Sequence, residues 1–147
     1  MGGLIHEYVP PPLPESEYLH PTAGCDRGPW AQLATAEANQ AKLEDGVSRV
    51  TDAMVTRAET DIDELLAEHP LPQEFLLPGE SGPSAALDVA RAVLRRAERQ
   101  AVRLERAGLL ADQVVLRYLN RVSDLLFALA RYEEAERGLR AQPSRQR

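Results

Sequence analysis

A single cysteine, Cys25, stands among the 147 residues. One thiol cannot build an internal disulfide framework, and no Cys/His spacing of the zinc-binding kind can be assembled around it. Basic charge is short as well: 17 Lys and Arg face 23 Asp and Glu, for a net charge of −6. That balance argues against a nucleic-acid partner, whose phosphates demand a basic footprint. No apolar run approaches the roughly 20 residues needed to span a bilayer. The opening stretch MGGLIHEYVPPPLPESEYLHP has neither a basic start nor a long apolar segment. No signal peptide and no membrane partner are therefore expected, and the chain reads as cytoplasmic.

What is present divides the chain into three parts. Residues 1–29 hold Pro10, Pro11, Pro12, Pro14, Pro21 and Pro29, with Gly2, Gly3, Gly24 and Gly28. Such a density of breakers predicts an extended or disordered arm. From Trp30 to His69 there is no proline and one glycine, Gly46. There Val47, Val50, Met54, Ala58, Ile62 and Leu65 recur at helical spacing, which predicts one long kinked helix or two helices. His69-Pro70 ends that element, because a residue before proline is pushed out of the α region. A loop with three adjacent large apolar groups follows, Phe75, Leu76 and Leu77, and these are expected to be buried against something.

The next element runs from Ser84 to Ala107, with Gly108 as its cap. Its apolar stripe is Leu87, Ala90, Leu94, Ala97, Ala101 and Leu104. The last begins near Asp112, a good N-cap, and runs to about Leu139 with the stripe Val115, Leu119, Val122, Leu126 and Leu129. Two near-heptad stripes joined by a few residues predict an antiparallel hairpin. The fold class is all-α: an antiparallel bundle of three to four helices over 30–139, with a polar, frayed tail at 140–147.

Chemistry-bearing residues gather on two seams. Taking about 100° per residue, Arg91, Arg95, Glu98 and Arg99 share one sector beside the Leu87/Leu94 stripe. Like charges at i,i+4 disfavour a helix slightly, so a column of three arginines needs a reason. One reading is an anion held by planar guanidinium groups. The other is a solvated face relieved by Asp88–Arg91 and Arg95–Glu98 pairs at i,i+3. On the last helix Arg117, Asn120, Arg121 and Asp124 share a face, again as a binding seam or as structural polar groups. The histidines, His6, His20 and His69, lie outside the strong helices with no evident serine or acid partner, so nucleophilic catalysis by a side chain is not expected. No metal site is expected from the protein's own residues.

The stretches Phe75-Leu-Leu-Pro-Gly, Ala90-Arg-Ala-Val-Leu-Arg-Arg-Ala-Glu-Arg99 and Arg117-Tyr-Leu-Asn-Arg-Val-Ser-Asp-Leu-Leu-Phe-Ala-Leu-Ala-Arg131 resemble three motifs of the PduO-type ATP:cob(I)alamin adenosyltransferases, in order and spacing. The resemblance covers roughly residues 58–134. It implies a homotrimer of helical bundles with ATP and corrinoid at subunit interfaces, ATP carrying Mg2+ and cobalamin entering as substrate. The reaction implied is transfer of the 5′-deoxyadenosyl group of ATP to reduced cobalt with release of triphosphate. It allows an adenosylcobalamin-dependent enzyme as a further partner. By motif position Arg95 would contact the triphosphate, with Glu98, Arg99, Asn120 and Asp124 helping to build the nucleotide site. Arg91 would make an intersubunit salt bridge, and Phe75 would cover the lower face of the corrin.

Four departures accompany the resemblance, one being that the family's V-D-E-L-N segment, which holds the acidic partner of Arg91, has no secure counterpart. The family's T-x-T-G-D-x-G-T-T phosphate loop is echoed only by Thr22-Ala-Gly-Cys-Asp-Arg-Gly28, with Cys25 inserted and Pro29-Trp30 where two threonines belong. The segment between this echo and Phe75 is shorter by about two helices. Glu80 replaces the second glycine of the Phe75 loop. A corrinoid-binding protein without catalysis, or a helical oligomerisation module, are accordingly the alternatives to a transferase.

Overall fold

The computed structural model describes residues 28–71, 75–110, 112–139 and 142–143. Four α-helices lie within them: α1 (Gly28–Ala34), α2 (Asp52–Glu68), α3 (Gly82–Arg106) and α4 (Val114–Glu136). Both α2 and α3 pack on α4, which makes α4 the shared element of an all-helical bundle. The expected arm over residues 1–27 lies outside the described residues. Gly28 and Pro29, assigned to that arm from sequence, are instead the buried first turn of α1. Proline is tolerated there because the first N–H groups of a helix have no partner within it.

The expected helix between Trp30 and His69 is broken earlier than Gly46 suggests. After α1 the chain turns extended at Ala36, forms a 3-10 turn at Glu37–Lys42, and reverses at Gly46, where φ is +75°. The alanines of this stretch offer little area to bury, and a short helix without a packed face is marginal. Polar side chains hold it instead. The buried Gln32 accepts the Val50 N–H at 3.0 Å, while Gln40 Nε2 donates to the carbonyls of Gln32 (3.0 Å) and Thr35 (2.7 Å). Only then does α2 begin, and Val47 of the predicted stripe is left exposed.

The hairpin of α3 and α4 forms as the spacing predicts. Ser81 opens α3 with a reciprocal cap: its hydroxyl accepts the Ser84 N–H at 3.1 Å, and Ser84 Oγ accepts the Ser81 N–H at 3.0 Å. At the other end Gly108 has φ +71°, and the Leu109 N–H donates to the Leu104 carbonyl at 2.9 Å. The N-cap of α4 is Gln113 and not the expected Asp112, which accepts the Val114 N–H at 2.9 Å from one position earlier. The apolar core gathers around the first half of α4: Val50, Val55, Ala101, Val114, Val115 and Leu119 are buried together.

The second half of α4 departs from its predicted stripe. Val122, Leu126 and Leu129 are only partly buried, whereas Ser123, Ala128, Ala130, Arg131, Glu133 and Glu134 are fully so. Arg131 donates to Asp88 on α3 at 2.8 Å and to Glu134 at 3.0 Å. It also lies 5.2 Å from the centre of the Phe127 ring. The tail, expected to fray, pairs with the Phe75 loop through Gln142 and Pro143.

Two outcomes test this account. Arg131→Ala leaves Asp88 and Glu134 buried without a cation, and should lower unfolding stability by about 3–5 kcal/mol in urea denaturation. Ser123 is fully buried and its hydroxyl has no partner among the described residues. Ser123→Ala should therefore be neutral or stabilising by up to about 1 kcal/mol in the same assay.

Candidate functional site

The arginine column on α3 takes its character from where the carboxylates of α3 go. That helix carries six arginines and three acids, Asp88, Glu98 and Glu105. All three acids are engaged from α4 or the turn before it. Asp88 accepts from Arg131 at 2.8 Å, Glu98 from Asn120 Nδ2 at 3.1 Å, and Glu105 from Gln113 Nε2 at 3.1 Å. The i,i+3 pairs Asp88–Arg91 and Arg95–Glu98, which would have neutralised the column, do not form. Arg95 and Arg99 are exposed, and no carboxylate among the described residues lies within ion-pair distance of either.

Arg91 has a different setting. Its guanidinium lies 4.8 Å from the centre of the Phe127 ring, a cation–π distance, and its Nε is buried with no hydrogen-bond partner. It makes no ion pair among the described residues, so none of them supplies the acid for the salt bridge expected of it.

The seam on α4 is brought to the same region but is split between neighbours. Asn120 reaches α3 through Glu98, and its Oδ1 accepts from Arg121 Nη2 at 2.8 Å. Arg121 in turn stands 3.5 Å from Asp124. Glu98, Asn120, Arg121 and Asp124 thus form one polar chain across the α3–α4 boundary. Arg117 turns the other way and pairs with Asp52 at the start of α2. Between α2 and α4 lies an open cleft of about 280 Å³, lined by Asp52, Val55, Thr56, Glu59, Arg117, Asn120 and Arg121. Asn120 and Arg121 belong both to this cleft and to the polar chain.

Phe75 corrects an expectation. It is 88% exposed, and Leu77 is 44% exposed, so the loop is not buried as a triplet; only Leu76 is partly covered. The residues missed from sequence are Asp52, Thr56 and Glu59 in the cleft wall, and Arg131 beneath Phe127. Their partners are far away in the chain, 65 residues for Asp52–Arg117 and 43 for Asp88–Arg131, so local spacing carried no sign of them.

Among known proteins, the family model for cobalamin adenosyltransferase matches residues 29–133. The corrinoid adenosyltransferase of Bacillus subtilis (strain 168) is 43% identical over 91 residues, 62% of this chain and 47% of the relative. One from Citrobacter freundii is 36% identical over 104 residues, covering 71% of this chain and 57% of the relative. The chain thus spans about half the length of these curated relatives. Among solved structures, an arginine-to-lysine variant of the PduO-type adenosyltransferase from Lactobacillus reuteri, complexed with ATP, superposes with a TM-score of 0.66 at 32% identity. That match covers 78% of this chain and 61% of the other. A phenylalanine-to-histidine variant from the same organism, complexed with cobalamin and ATP, gives a TM-score of 0.64 at 32% identity over 74% of this chain and 57% of that one. With the arginine column, the projecting aromatic loop and the α3–α4 polar chain all carried on a matching helical framework, this chain belongs to the cobalamin adenosyltransferase family.

Proposed function

We propose that the chain transfers the 5′-deoxyadenosyl group of ATP to reduced cobalamin, yielding adenosylcobalamin and triphosphate. The observation that carries this reading is the one-sided charge of α3: its acids are occupied by α4, and Arg95 and Arg99 face outward without a carboxylate among the described residues. A polyphosphate supplies the anion that this column lacks. As the bond between cobalt and C5′ forms, with the electron pair coming from the reduced metal, the C5′–O bond of ATP breaks and its pair leaves with triphosphate. Arg95 stabilises the charge that develops on that leaving group, with Arg99 beside it. Glu98 and Asn120 hold each other across the helix boundary and orient the nucleotide, with Asp124 steadying Arg121. The nucleophile belongs to the substrate, so the protein needs to position and neutralise and requires no serine or histidine of its own.

Phe75 fits the other substrate. An exposed ring on a loop offers a flat apolar face to the corrin and keeps a lower ligand from the cobalt. Among the described residues no group of three or more His, Cys, Asp or Glu side chains could hold a metal ion. Mg2+ would therefore arrive on the phosphates of ATP, bound chiefly by their oxygens.

Assembly as a homotrimer belongs to the same reading. Val89 and Val93 are exposed on α3, and α2 carries six carboxylates against the single Arg57. An arginine-rich helix with exposed valines and an acidic one on the same protomer suit head-to-tail association, in which one copy supplies an acid to Arg91 of the next. No described helix is long and apolar enough to cross a membrane, and a cytoplasmic setting completes the proposal.

A second reading, a corrinoid-binding protein without transfer, is favoured by one observation. Gly28 and Pro29, at the end of the altered phosphate-loop echo, are buried in α1 and so are not free to close over phosphate. Separate titrations with ATP and with cob(II)alamin decide between the two. The transferase binds both; the carrier binds corrinoid alone. Arg95→Ala should reduce adenosylation about a hundredfold or more, followed by the cobalamin absorbance, with far-UV circular dichroism unchanged. Phe75→Ala should weaken corrinoid binding while ATP binding stays as in the parent chain.

A further inference from the structure

The Phe75 loop joins α2 to α3 over residues 69–81, too long a connection to be fixed by its ends alone. An exposed phenylalanine on such a loop would be expected to fold back onto the nearest apolar surface unless the backbone were restrained. The restraint comes from the other end of the chain. The Leu77 N–H donates to the Gln142 carbonyl at 2.7 Å, and Leu76 and Pro143 form an antiparallel bridge.

The route of the tail to this loop is set at the end of α4. Gly138 takes φ +67°, with its N–H donating to the Ala135 carbonyl and the Leu139 N–H to that of Glu134, both at 2.8 Å. This αL glycine closes the helix. A Cβ on Gly138 would meet nothing within 4 Å, so the glycine is there for its backbone angle and not for space. The exit of α2 is fastened to the same place: His69 Nε2 lies 3.0 Å from Glu136 Oε1, and its ring meets Tyr132 edge-on at 5.1 Å. The start of the connection is thus tied to the end of α4 through His69, and the helix that follows it, α3, is tied to α4 through Asp88 and Arg131. The tail holds the middle.

We propose that Gln142 and Pro143 form a positioning strap, which pairs with Leu76 and Leu77 and so keeps the Phe75 ring standing outward to meet the flat apolar face of the corrinoid. The ligand class rests on the functional reading above; the strap itself does not. Pairing on one side of Leu77 leaves Phe75, two residues before it, 88% exposed, so Gln142 and Pro143 present the ring without covering it.

Two variants of the chain test this. A chain stopped after residue 141 lacks both strap residues. Leu77→Pro removes the donating N–H and keeps an extended backbone. In the parent chain the Leu77 amide should exchange with deuterium at least about tenfold more slowly than in the stopped chain. Both variants should bind cob(II)alamin about tenfold more weakly while retaining ATP affinity and the parent melting temperature to within a few degrees. Equal exchange at Leu77 in the parent and stopped chains overturns the strap. Faster exchange with unchanged corrinoid affinity overturns its role in presenting Phe75. A parent chain that binds no corrinoid overturns the functional reading instead, and the exchange at Leu77 then still decides whether the strap exists. A variant that melts far below the parent assigns the tail to bundle stability and overturns the proposal.

Discussion

The site depends on the direction in which α3 spends its negative charge. An arginine-rich helix would ordinarily neutralise itself through acids one turn away. Here Asp88, Glu98 and Glu105 all point across to α4 and are held by Arg131, Asn120 and Gln113. Cross-helix pairing fixes the register of the hairpin, and the same pairing leaves the outward arginines with nothing on their own helix to satisfy them. The register of the hairpin and the unpaired state of Arg95 and Arg99 are therefore two results of one arrangement. Had the acids paired locally, the hairpin would lose polar ties and the column would be an ordinary solvated face.

α4 bears the complementary constraint. Because α2 and α3 both pack on it, its buried surface is wider than a single stripe. The first half meets this with Val114, Val115 and Leu119. The second half uses small residues and a buried ion cluster, where Arg131 with two acids fills space that leucine would fill in a simpler bundle. Buried ion pairs seldom add net stability over well-packed apolar groups, but they are intolerant of losing one member. This half of the bundle gains a defined geometry from that intolerance, and it is the half to which the Phe75 loop is tied.

Much of this was legible in the residues. The spacing of Leu87, Leu94 and Ala101 against Val115 and Leu119 is enough for the hairpin, and Ser81 and Gly108 mark its ends. The motif order around Phe75, Arg95 and Asn120 was enough for the family. Periodicity failed between Trp30 and Thr51, where alanines repeat at helical intervals but bury too little, and amide side chains direct the backbone instead. It gave no sign of the role of Arg131, whose partner Asp88 stands 43 positions away. The exposure of Phe75 ran against the rule that clustered apolar groups hide. A tail of polar residues gave no sign that two of them would pair with a loop.

The ring of Phe127 has Arg91 and Arg131 as common neighbours, at 4.8 and 5.2 Å. Leucine at that position would preserve much of the volume but none of the quadrupole that attracts two cations. Oiliness alone is therefore an insufficient specification there, and the aromatic couples a half-covered arginine at the rim to a sealed one within. Loss of the ring would leave both guanidinium groups without the one neighbour they share.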